Sequence, residues 1–402
     1  MTAAWSGTVR SRGFPAWALA NGALSISWTV GSLAVSWVTL VVTTDPLAVG
    51  AVFAMRFVAL LLFGIPAGVL ADRRDRRRIV IGTSIGGAAV AGVLAALAVA
   101  GGGTIGLPLL LAGSFTLGTL DTLRIAAGTT YTVDLVGPAL ATSGLAIANL
   151  VAQAAGIAGS AAGGLLLEEA GLAAAFVAVG VALLAVAGLL AFAPRPGPRP
   201  SGPPGTETSL RHAFTLLRRD RLIALLAIAV ILGEILAFSS LALVPVFTRE
   251  SWGAGPEAYG TLIAFRSLGA VFGLLVMIRA GPRLTRGPVL AGLGIAMGVA
   301  LCAFAVAPGV AVAVLPSLVV GAAMACWDSL SQALMQRATS DAERGAAMGI
   351  WTFAVGGGPA GYLAIGALAG AIGPVPTQLL FGALTALVGI ALLASPRIRG
   401  AR

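Results

Sequence analysis

Long apolar runs alternate with short polar breaks along the whole chain. Twelve runs stand out, at roughly 17–42, 47–71, 79–100, 107–132, 139–167 and 172–193 in the first half. The second half has runs at roughly 222–247, 257–279, 288–307, 310–336, 345–371 and 376–395. A helix that crosses the hydrocarbon core of a bilayer needs about 20 apolar residues, so each run predicts one membrane-spanning helix. The fifth and sixth runs are divided only by "EEAG", Glu168 to Gly171. Membrane strands would instead alternate apolar and polar positions over segments of about 10 residues, and that pattern is absent. The expectation is an all-α membrane protein with twelve transmembrane helices.

The break between the halves is of a different kind. Residues 194–209, "PRPGPRPSGPPGTETS", are too rich in Pro and Gly to form a membrane helix. After them, "SLRHAFTLLRRDR" places Leu210, Phe214 and Leu217 on one face with Arg around them, the pattern of a short helix at the membrane surface. The predicted organisation is an N-terminal six-helix bundle at 1–193, a Pro-rich linker and interfacial helix at 194–221, and a C-terminal six-helix bundle at 222–402. The halves also repeat. Gly50 and Arg56 in the second run reappear as Gly260 and Arg266 in the eighth. Asp121 and Asp134 reappear at nearly the same offset as Asp328 and Asp341. A duplicated six-helix unit is the parallel-repeat plan of a large class of transporters.

Composition sharpens this picture. The chain is 58% hydrophobic and 10% charged, with a mean hydropathy of +0.98. All 25 basic residues are Arg, and the net charge is +10. In a soluble protein that excess would point to nucleic acid. Here it sets topology, because Arg concentrates in cytoplasmic loops. With an even number of spans and both termini inside, every Arg except Arg56, Arg124, Arg249 and Arg266 falls in a cytoplasmic loop or end. The opposite side holds Arg249 beside Asp45, Glu168, Glu169, Glu250 and Glu257. No nucleic-acid partner is expected. Cys302 and Cys326 lie inside apolar runs and His212 falls in the linker region, so no metal site or cofactor is expected. The N-terminus has no cleavable signal pattern.

Charge is concentrated in one stretch, "GVLADRRDRRR", residues 68 to 78, just after the second run. Gly68, Leu70, Ala71, Asp72, Arg73, Arg76 and Arg77 match the loop signature of the major facilitator superfamily, in the loop where that family carries it. With twelve spans in two halves and a cytoplasmic linker, the chain resembles that superfamily. Within it, "AGLAAAFVAVGVALLA" and "ALMQRATSDAERGAAMG" are similar to the bacterial branch of enterobactin exporters and macrolide efflux proteins. The resemblance implies a gating role for this loop, with Asp72 facing the N-terminus of the eleventh segment near Gly345 and the arginines sharing charge with nearby acids. As a plain topology anchor the cluster would need no such partners. Gly68 is expected to let helices approach closely. The antiporter-type Gly-Pro motif of the fifth segment stands here as Gly159, Ser160, Gly163 and Gly164, without the Pro.

Six ionisable residues lie deep within the apolar runs: Arg56, Asp121, Arg124, Glu234, Arg266 and Asp328. Each costs about 2.5–3.5 kcal/mol at a bilayer centre on insertion scales, so they are expected to face protein or water and to pair. Depth brings Arg56 within reach of Asp121, Arg124 follows Asp121 by one turn, and Arg266 with Asp328 is the expected mirror of that pair. Structural ion pairing and titration during transport are both open readings. Glu234, in "AVILGEILAF", has no basic residue near it in sequence, which suits a proton carrier or a cation-binding group as well as a structural hydrogen bond. Asn21, Ser25, Asn149, Gln153, Gln332 and Gln336 are candidate cavity-lining residues.

No nucleophile–base pair, phosphate loop or metal cluster is present, so an enzyme is not expected. Two-half organisation suits rocking around a central site better than a channel. The leading expectation is a monomeric secondary transporter of the bacterial plasma membrane, exporting a small amphipathic organic compound in exchange for protons. An importer of the same fold and a non-transporting membrane receptor or scaffold are the alternatives.

Overall fold

The computed structural model describes residues 8–9, 11–137, 140–193, 210–281, 284–340 and 343–401. The linker at 194–209, Arg10 and Asp341 of the sequence repeat lie outside the described residues. Among the described residues, twelve helical spans are long and apolar enough to cross a membrane. The first six are α1 (Phe14–Thr43), α2 (Pro46–Arg73), α3 (Arg76–Ala100), α4 (Leu107–Val136), α5 (Ala141–Glu169) and α6 (Gly171–Phe192). A short α7 (Leu210–Arg219) stands where the interfacial helix was predicted, with Leu216 buried in the core. The second half comprises α8 (Arg221–Leu236), α9 (Pro256–Ala280), α10 (Gly287–Ala305), α11 (Val310–Arg337), α12 (Arg344–Val355), α13 (Gly358–Ile372) and α14 (Pro374–Ala394), closed by α15 (Pro396–Gly400).

Local chemistry sets the helix ends. Asp75 starts α3 by accepting from the Arg78 amide, and Asp220 starts α8 by accepting from the amides of Leu222 and Ile223. Proline occupies the first turn of α1, α4, α10 and α14, where its missing N–H is no loss. Arg77 ends α6: its guanidinium donates to the carbonyls of Leu190 at 2.5 and 2.8 Å, Ala191 at 3.0 Å and Ala193 at 3.2 Å. That contact adds donors and positive charge to a helix C-terminus whose own cap is the Ala193 amide on the Leu190 carbonyl and whose last turn has no basic residue.

Two spans are interrupted. The seventh runs from α8 into a 3₁₀ stretch, Phe238–Leu243, a single α-turn, Val244–Val246, and a π-turn, Phe247–Ser251. The eleventh breaks at Gly356 and Gly357, between α12 and α13. Irregular backbone at membrane depth is tolerated only where protein or water satisfies it.

The chain divides into two compact units. The first holds α1, α2 from Met55 onward, α3 to α6, and Ala254–Ala264. The second holds Asp45–Ala54, α7, α8, α9 from Phe265 and the helices after it. Inside the first unit, glycines let backbones touch. A Cβ on Gly159 or Gly163 would run into Thr29, Ile26 or Val30 of α1, and one on Gly164 into the backbone of Gly260. The motif without its proline therefore still packs tightly, through small residues. Gly68 departs from expectation: a Cβ there would meet nothing within 4 Å among the described residues. The close approaches on α2 are instead at Gly50, against the Tyr362 carbonyl, and at Arg56, whose backbone faces Gly118.

Candidate functional site

The charged residues of the first unit meet in one cluster. Arg56 on α2 donates from Nη2 and Nε to Oδ2 of Asp121 on α4, at 2.8 and 3.2 Å. Its Nη1 donates to Ser32 of α1 at 2.9 Å, and its planar face lies 3.5 Å from the ring centre of Trp28. Arg124, one turn beyond Asp121, takes the other carboxylate oxygen, Oδ1. It also donates to the Thr83 carbonyl of α3 at 3.4 Å. Arg56 and Arg124 are buried, and Asp121 between them is largely so, its side chain 13% exposed. The sequence expectation of pairing is met here, with Arg56 reaching from α2 to the Asp121–Arg124 pair on α4. Gly118 makes this possible. Any side chain there would strike the Arg56 backbone, so α2 and α4 come close enough for the guanidinium to reach one turn along.

This cluster forms part of the wall of a cavity of about 280 Å³ whose described lining residues all belong to the first unit. Asn21, Ser25, Asn149, Asp121 and Arg124 line it. Trp17, Leu24, Trp28, Ile125, Gly128, Thr129 and Thr132 line it as well. Two of those matter for shape. Trp17 Nε1 donates to Thr132 at 2.8 Å, and Gly128 leaves room for the Trp17 ring against α4. Neither tryptophan was singled out from the sequence. The signal was present: Trp17, Asn21, Leu24, Ser25 and Trp28 recur at helical spacing, a stripe that mixes aromatic, amide and hydroxyl groups on one face of α1. Asn21 Nδ2 donates to the Ala148 carbonyl at 2.9 Å, which fixes the α1–α5 face of the cavity.

The second unit does not repeat the cluster. Arg266 donates to Ser240 at 3.2 Å and to the Met324 sulfur at 3.0 Å. Oδ1 of Asp328 is buried with no hydrogen-bond partner among the described residues. The expected Arg266–Asp328 mirror is therefore corrected, and helix register is the reason. In the first unit the backbone of Arg56 crosses α4 at Gly118, three residues before Asp121. In the second the backbone of Arg266 crosses α11 at Gly321, seven residues before Asp328. The extra turn carries the carboxyl about 6 Å along the helix. Met324, three residues after Gly321, stands where Asp121 stands. The arginine–serine contact, Arg56 to Ser32 and Arg266 to Ser240, survives in both halves. A second, water-sized cavity of about 10 Å³ adjoins Arg266, Ser240, Ser317 and Gln378.

Glu234 occupies the end of α8, where the seventh span loses its α-helical form, and is buried. A Cβ on Gly358, at the start of α13, would lie 3.6 Å from its Oε2, and Gly361 faces the backbone of Ile235. The carboxyl thus sits where two interrupted spans cross, a setting that membrane proteins use for binding and coupling groups. Gln153, Gln332 and Gln336 lie outside both cavity walls, and the Gln336 amide contacts the Met348 sulfur at 3.2 Å.

In the charged loop, Arg76 is the organiser. It donates to Asp134 of α4 at 2.6 Å, to the Ala71 carbonyl at 3.1 Å and to Asp72 at 3.3 Å. Asp72 is 70% exposed, Arg73 is exposed, and Arg77 is the buried cap of α6. Of the signature arginines Arg73, Arg76 and Arg77, Arg76 shares charge with acids, and beside it Arg78 pairs with Asp75 at 3.7 Å.

Comparison with known proteins agrees with this architecture. The family description of the Major Facilitator Superfamily matches residues 17–251. A search of curated proteins finds no match. Among solved structures, the nucleoside transporter NupG, as its D323A mutant, superposes with a TM-score of 0.78 at 15% identity, covering 95% of this chain and 99% of its own. A D-xylose–proton symporter gives 0.72 at 15% identity, covering 96% and 98%. A bacterial homologue of the human lysosomal transporter Spinster, in an inward-facing and occupied conformation, gives 0.74 at 15% identity, covering 94% and 95%. With twelve membrane spans, a duplicated helical plan, a charged loop after the second span and a family match over more than half its length, the chain belongs to the Major Facilitator Superfamily.

Proposed function

We propose that this transporter exports a small amphipathic organic compound by alternating access, driven by the counterflow of protons. The observation that carries the reading is the first-unit cavity. Its wall joins two indole rings and aliphatic side chains to an amide, hydroxyls and a buried ion cluster, which suits a ligand with both apolar and polar parts. Glu234, at the crossing of two interrupted spans, is the candidate proton carrier, and the carboxyl of Asp328 is a second. Arg56, Asp121 and Arg124 hold the cavity wall, and Arg266 holds the corresponding position of the second half. Gly68, Asp72, Arg73, Arg76 and Arg77 form the inner gating loop, whose charges shift partners between states. The Arg asymmetry supports a plasma-membrane protein with both termini cytoplasmic. Export rather than import follows the resemblance to efflux proteins.

The test is transport in proteoliposomes. A panel of labelled aromatic and aliphatic compounds is screened with and without an imposed pH gradient. Movement against the proton flux supports export; movement with it selects the importer; and no gradient-driven movement of any compound removes the transport mechanism.

A further inference from the structure

We propose that the first-unit cavity binds the anionic group of its substrate, a carboxylate or a group of like charge, and that Arg124 is the residue that receives it. The proposal rests on the transport reading and narrows its substrate class. Asp121 sits between two guanidiniums, and each of its oxygens is already engaged, Oδ2 by Arg56 and Oδ1 by Arg124. One carboxylate against two guanidiniums leaves a surplus positive charge in a buried place. Arg56 is consumed: Nε and Nη2 face Asp121, Nη1 faces Ser32, and its flat face covers Trp28. Arg124 differs. It lines the cavity, and beyond Asp121 its described contact is the long 3.4 Å bond to the Thr83 carbonyl. A guanidinium in that state has N–H donors left for an incoming oxyanion, in the fork geometry that suits a carboxylate.

The rest of the wall agrees with this choice. Asp121 and Arg124 are the charged residues among its described lining, and Arg56 behind Asp121 tips the cluster to net positive, so a cationic ligand would meet surplus positive charge while an anionic one would neutralise it. Trp17, Leu24, Trp28 and Ile125 offer the apolar surface for the remainder of the ligand. A buried site of surplus charge binds the compensating ion far better than a neutral isostere, because the low dielectric strengthens the pairing.

The test is equilibrium binding of 1-naphthoate and 1-naphthamide, which share ring and size and differ in charge, to the purified full chain. Wild-type protein is expected to prefer the carboxylate by about tenfold or more. Arg124→Gln is expected to abolish the preference by weakening the carboxylate and sparing the amide, with Arg124→Lys restoring part of it. Asn149→Asp, at an exposed cavity position that does not threaten folding, adds the neutralising charge and is expected to weaken the carboxylate alone. Equal affinities in wild type, no binding of either probe, or an undiminished preference in Asn149→Asp overturns the proposal. Failure of pH-driven flux with the preference intact would instead overturn proton coupling and leave this charge assignment standing.

Discussion

Asp121 is the residue on which the first-unit cluster turns. Replacing it by Asn would leave two buried guanidiniums facing each other without their carboxylate, a loss of about 3–5 kcal/mol when one partner of a buried pair is removed. Thermal unfolding of Asp121→Asn in detergent should show the drop, and an unchanged midpoint would place the charges in water rather than in a packed cluster. Glu234 has a different expectation. Glu234→Gln removes the proposed proton carrier but keeps an isosteric hydrogen-bonding group, so downhill exchange should persist while dependence on the pH gradient disappears. Flux in that variant that still follows the gradient would shift the coupling role to another acid. These two residues were legible in the sequence because an ionisable side chain in an apolar run must have a reason to be there. Their partners were less so: the Arg56–Asp121 pair followed from depth, but Trp28 and Ser32 as further partners of Arg56 required the folded helices.

At the scale of elements, helix ends and crossings do the positioning. Arg77 closes the carbonyl end of α6, so Arg77→Ala should destabilise α6 by about 1–3 kcal/mol through carbonyls that lose a charged, buried donor. Faster amide exchange at 187–192 than in wild type would report it. The tether of α7 to the loop before α12 runs through Arg219 to Glu343, at 2.5 Å, with Ser340 also donating to Glu343. The Ser340 hydroxyl first, and Arg219 next, hold the Glu343 carboxyl below its ordinary value of 4.5. A carboxyl depressed on folding stabilises above its unfolded value, and that stabilisation is lost as pH falls through the folded one. The tether should therefore be intact at neutral pH and weaken only in acid below the ordinary carboxylate range. Limited proteolysis after the linker as a function of pH tests this, with Glu343→Gln expected to be insensitive across the same window. Sequence pattern located α7 by its arginines and leucines; that it is tied to a segment more than a hundred residues later was visible only in the fold.

Over the whole molecule, duplication followed by a register change explains why the halves differ chemically. The crossing glycines Gly118 and Gly321 keep the same relation to Arg56 and Arg266, but the acid lies one turn further on in the second half. The residue that meets Arg266 is then Met324. Met324→Asp should recreate the first-half pair. A double-mutant cycle with Arg266→Met is expected to give a favourable coupling of about 1–3 kcal/mol. Zero coupling would mean that the two crossings are not equivalent. Among the described residues the first half thus carries the ion cluster and the larger cavity, whereas the second holds Glu234 and Asp328, the proposed proton carriers.

The number of spans, the duplication, the charged loop and the residues forbidden from lipid were all determined by the sequence alone. Each depends on transfer free energies that act residue by residue along the chain and need no knowledge of neighbours. Tertiary structure decided which buried charges met, which helix ends Arg76 and Arg77 served, where α8 and the eleventh span broke, and which face of α1 became a cavity wall. Those outcomes depend on the axial position at which two helices cross, and a single turn of register, set by where a glycine lets backbones touch, separates an ion pair from an arginine resting on a methionine.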